Sequence, residues 1–111
     1  MAVFVVPTAN RNPHFEQETT LDGVRFILNF HWNSVSGSWF MSVSDIDGEP
    51  IISGRRMSAN WSMLARSADS RRPAGELIVI DTSGSGVDPS FDELGERVLL
   101  SYLEAETVEA L

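Results

Sequence analysis

Two histidines, 16 carboxylates and no cysteine bound the chemistry open to this 111-residue chain. An enzyme needs a nucleophile with a base, a carboxylate pair flanking a bond, or a metal cage. His14 and His31 lack a third ligand-type residue at metal-site spacing, so they do not suggest zinc. His31 also lies on the parity opposite Phe30 and Trp32, which predicts a side chain facing solvent or a partner. Asp45, Asp47 and Glu49 imitate part of a calcium loop. The glycine comes too early and the terminal glutamate is missing, so a hairpin turn is the better reading. Ser83-Gly84-Ser85-Gly86 has no following lysine or helix to hold phosphate. Asp92-Glu93 and the Glu104, Glu106 pair are neighbours that an acid-rich chain produces without catalysis. No catalytic, cofactor-binding or metal-ligating residue is expected, and no cofactor.

Aromatic and guanidinium groups remain. Trp32 and Trp39 flank one polar loop, and Trp61 follows the Arg55-Arg56 doublet. Core packing is the ordinary role of tryptophan, but Trp and Arg are also the types most often found as hot spots of protein interfaces. The candidate contact residues are therefore Trp61, Arg55, Arg56, Trp32, Trp39 and His31, with Trp61 beside the doublet the strongest. A second doublet, Arg71-Arg72, reads as a solvated loop or an internal ion pair.

The formal charge is −8 and every basic residue is an arginine. Such a surface repels phosphate, so direct nucleic-acid binding is not expected. The absence of cysteine agrees with a reducing compartment. No stretch approaches the roughly 20 apolar residues of a membrane span, and the opening residues lack the basic start of a signal peptide. A soluble intracellular chain folding as one domain over 1–111 is expected.

The elements that would position these residues are strands. Val24, Phe26, Leu28, Phe30 and Trp32 recur at period two, and Trp39, Met41 and Val43 resume it. Asp22-Gly23 and Asp47-Gly48 are hairpin signals. Ala2 to Val6, Phe15 to Thr20, Ile51-Ile52, Met57 to Leu64, Leu77 to Ile80 and Arg97 to Leu103 complete the set. Met57 to Leu64 could instead hold a short helical turn around Trp61 to Ala65. Leu77 to Ile80 reads as buried on both faces. Ser67 to Gly75 and Asp81 to Ser90 read as loops. Ser90 to Gly95 suits one helical turn cut short by glycine, and the acidic tail 104–111 is frayed or a short helix. The sum is an all-β, mainly antiparallel small barrel or sandwich of six to eight short strands with little helix.

The order Phe26-x-Leu28, Trp32-Asn33, Gly37-x-Trp39-Phe40, Asp45-x-Asp47-Gly48-x-Pro50, Gly54 resembles the phage baseplate plug family, typified by a cyanophage with a contractile tail. Pro73-x-Gly75-x-Leu77 into Asp81, then Asp92-x-Leu94-Gly95-x-x-Val98-Leu99-Leu100-x-Tyr102, is similar to that family's closing signature. The likeness runs from about Phe15 to Leu103. It departs at Phe40-Met41, where the family carries aromatic pairs, and has no counterpart beyond Leu103.

The resemblance implies a non-enzymatic virion structural protein of the tail baseplate, made in the host cytoplasm. It would plug or line the lumen at the central hub and contact hub, tail tube or tape-measure proteins. A trimer or hexamer is expected from the closed symmetry of such assemblies. Two other readings remain from the residues alone: an acidic regulatory or immunity-type module that mimics nucleic acid, and a small β-barrel enzyme or ligand carrier with a deep pocket around His31 or a carboxylate pair.

Overall fold

Hairpin chemistry builds the first sheet. In the computed structural model, which describes residues 3–5, 13–64 and 70–104, β1 (Val3–Val5) precedes a meander of β2 (His14–Leu21), β3 (Val24–Asn33), β4 (Ser38–Asp45) and β5 (Pro50–Arg56). Asp22 and Gly23 both have positive φ, 52° and 77°, the backbone a two-residue hairpin demands. At the second hairpin only Gly48 is left-handed, at φ 88°. There the Asp45 carboxylate accepts the Asp47 and Glu49 amides, both at 2.9 Å, so the loop is an Asx-type turn. The polar tip between β3 and β4 is held likewise, by Asn33 accepting from the Val35 and Ser36 amides.

The second sheet contains β6 (Glu76–Asp81) and β7 (Val98–Leu103), with β7 central in the order β1-β7-β6. The first has the order β2-β3-β4-β5, and all pairings are antiparallel. No helix occurs among the described residues. One apolar cluster joins the inward rows of both sheets: Phe26, Leu28 and Phe30 of β3, Trp39, Met41 and Val43 of β4, Ile52 of β5, Leu77 and Val79 of β6, Val98, Leu100 and Tyr102 of β7. The architecture is a sandwich of two open sheets, and its period-two rows are those the sequence predicts.

Three local expectations change. Met57 to Leu64 is neither strand nor helical turn but a run of turns with one bridge, Ser62 to Ile78. Asn60 takes φ 65°, a left-handed conformation that asparagine tolerates. That twist breaks the alternation, so Met57, Ala59 and Met63 are buried while Trp61 turns outward. Leu77 to Ile80 is buried on one face only, with Leu77 and Val79 inward, because this sheet packs on the shared core through one face. Ser90 to Gly95 forms turns rather than helix, the Glu93 amide donating to the Ser90 carbonyl. The expected tail beyond Glu104, the first residues (67–69) of the Ser67–Gly75 loop and Ala65 lie outside the described residues.

Gly75 marks where the second sheet is tightest. A Cβ there would stand 1.9 Å from the Leu103 carbonyl oxygen and 2.8 Å from the Tyr102 hydroxyl. The Gly75 amide donates to that hydroxyl at 2.8 Å, which in turn donates to the Asp22 carboxylate. Burial, then the Asp22 hydrogen bond, raise the Tyr102 phenol above its ordinary value.

Candidate contact surface

Trp32 and Trp39 stand directly opposite each other on β3 and β4, with ring centres 5.6 Å apart. Phe91 closes the group, stacked on Trp39 at 5.7 Å and 11° and edge-on to Trp32, while Phe15 stacks on Phe30 and meets Trp39 edge-on. Trp39 is only 1% exposed, and its indole N–H donates to the Ser90 carbonyl at 3.2 Å. It therefore packs the sandwich and presents no face to a partner in this fold. Trp32 is half-buried on the rim of the same cluster.

Trp61 is 64% exposed. Its loop is pinned two residues to either side. The Ala59 amide donates to Asp88 at 2.8 Å, and Asp88 pairs with Arg56 at 2.8 Å. Arg55 donates to the Met63 carbonyl at 3.3 Å. The Trp61 carbonyl itself accepts from the Val79 amide. Arg55 directly, and Arg56 through Asp88, thus hold the loop that displays the Trp61 indole. An exposed, amphipathic aromatic on a pinned loop suits an interface anchor, because little loop entropy remains to be lost on docking.

His31 is exposed on the opposite face of the first sheet. In register it faces Phe40, which faces Arg56, so one row runs across three strands. Beside it stands His14, its direct cross-strand partner.

The sequence reading missed a charged network under the loop 82–97. The Asp81 side chain is fully buried and pairs with Arg97 at 2.9 Å. Its two oxygens accept from the Ser83 and Ser85 hydroxyls and from the Ser83 and Gly86 amides, all within 2.9 Å. The hydroxyls first, and the amides after them, hold this carboxyl far below the ordinary carboxylate range. Arg97 also grips both oxygens of Glu93 and the Val87 and Asp88 carbonyls. That contact lowers Glu93 to about 2 and raises Arg97, whose largest cause is the same hydrogen bond. An Asp at a strand end followed by Ser-Gly-Ser-Gly was the available signal, since such residues satisfy loop amides locally. The network orders a loop.

The groove at the β2–β3 turn has a volume of about 420 Å³, with Leu21, Val24, Phe26 and Ile46 among its lining and Asp22, Arg25, Asp45 and Arg71 at its polar edge. His31 does not line it. Among the described residues, no group of three or more His, Asp or Glu converges as a metal cage.

Residues 3–106 match the family described as Cyanophage baseplate Pam3 plug gp18. The chain belongs to this family. The baseplate plug family is structural, and membership carries a role in the phage tail baseplate. The match spans both sheets and the turns that carried the resemblance, including Gly37-x-Trp39, Asp47-Gly48 and Gly75. None of the curated proteins compared matches the chain.

Proposed function

We propose that this plug-family chain works without catalysis, as a fixed part of the central hub of a contractile tail that closes or lines the lumen. The observation that carries the reading is family membership over 3–106. The displayed Trp61 on its clamped loop supplies a surface suited to a neighbouring subunit. In this reading Trp61 is the anchor, Arg56 and the half-buried Trp32 border contacts, His31 is joined to Arg56 by the cross-strand row through Phe40, and Arg55 acts by holding the loop. The partners are hub, tube or tape-measure proteins, in threefold or sixfold copy number. The chain is made in the host cytoplasm and carried in the virion. Its net charge of −8 would keep DNA from adhering to a lumen wall.

Cross-linking mass spectrometry on purified particles tests this. The chain has no lysine, so a carboxylate-to-amine linker would join its acidic residues to partner lysines. Links to hub, tube or tape-measure proteins are expected. Absence of the chain from intact particles would overturn the proposal and favour a free regulatory module.

A further inference from the structure

We propose that His14 and His31 together form a two-imidazole site for a divalent late-transition metal ion, of the zinc or nickel class, on the outer face of the four-stranded sheet. The residues are 17 apart in sequence yet directly opposite on β2 and β3. Their rings lie 5.6 Å apart, edge to face at 89°. Two imidazoles that share a metal at about 2.0–2.1 Å per nitrogen have ring centres roughly 5 Å apart, so the spacing is right, and the rings must turn from edge-to-face until one nitrogen of each points at the ion.

Ladder alternation favours the same outcome. The Trp32 amide donates to the Pro13 carbonyl at 2.8 Å, making 13 and 32 a hydrogen-bonded pair. His14 and His31 are then the adjacent non-hydrogen-bonded pair, the kind whose Cα atoms approach to about 4.5 Å with side chains closest. Both side chains are exposed, so an ion reaches them from solvent.

The surroundings orient one ring and favour a cation. His14 Nε2 donates to Asn29 Oδ1 at 3.2 Å, and Asn29 Nδ2 donates to Glu16 at 3.2 Å. This is the carboxylate-backed support that metal-binding imidazoles commonly have. Phe40, across from His31 on β4, borders the pair with an aromatic side chain. The −8 charge of the chain raises the local concentration of cations. Two protein nitrogens leave the remaining coordination positions to water. Imidazole selects zinc, nickel or copper over magnesium or calcium.

The test is isothermal titration of the full chain with zinc or nickel ions in excess magnesium. The wild type should bind one ion per chain saturably. His14→Ala and His31→Ala should each lose that binding while keeping the far-ultraviolet circular dichroism of the wild type. Asn29→Ala should weaken it by about ten-fold. Undiminished binding by the double variant, no saturable binding by the wild type, or one ion per two chains would each overturn the proposal.

Discussion

Trp39 and Trp61 are one side chain in two environments, and the backbone decides between them. Trp39 continues the inward row of β4 and is 1% exposed, whereas the left-handed Asn60 turns Trp61 out to 64%. Truncating Trp39 to alanine removes an indole that packs against Trp32, Phe15 and Phe91, and should cost about 3–5 kcal/mol in urea unfolding. Trp61→Ala should stay within about 0.5 kcal/mol of the parent, yet fail to incorporate into tails. A Trp61→Ala chain that unfolds early, or one that assembles normally, would remove Trp61 from the contact role.

At the scale of elements, the loop 82–97 is held by charge as well as by the apolar burial of Phe91 and Leu94. Asp81 and Glu93 titrate below their ordinary values of 3.8 and 4.5, Glu93 near 2. A carboxylate depressed in the folded state binds fewer protons than in the unfolded chain. Its stabilisation is therefore complete above the ordinary value and lost as pH falls through the folded one. The loop should release between pH 4.5 and about 2. Because it carries Ser90 and Phe91 against the Trp39 indole, tryptophan fluorescence should change before far-ultraviolet circular dichroism does. Coincident transitions would show that the network does not act locally.

The same contrast explains what the sequence made legible. Phe26, Leu28, Phe30, Met41 and Val43 announce their face through period two, and Asp22-Gly23 announces its turn through residue type alone. Arg97 and Asp81 meet through folding, 16 positions apart, and nothing local predicts the pair. His14 and His31 read as two isolated histidines for the same reason: their adjacency is a matter of strand register. Met57 to Leu64 misled because its apolar spacing is compatible with a strand, while the decisive feature is the left-handed turn at Asn60. For the contact residues, Trp61 beside Arg55 and Arg56 was readable as a neighbourhood. The burial of Trp39 could be known only once Phe91 and Ser90 were placed over it.

For the whole molecule, the two sheets differ in how far along the chain they reach. The meander β2-β3-β4-β5 pairs only consecutive strands, while β1 joins β7 through Val3 opposite Leu103. Closing so wide a loop carries an entropy cost that neighbouring hairpins avoid. The meander should therefore acquire amide protection first in pulsed hydrogen exchange, and the β1–β7 ladder last. On a ribosome, a finished meander would wait with Phe26, Leu28 and Phe30 uncovered until β6 and β7 emerged. The interval before the second sheet arrives is thus the period when a nascent chain is most open to chaperone capture or to mispairing with a sister chain.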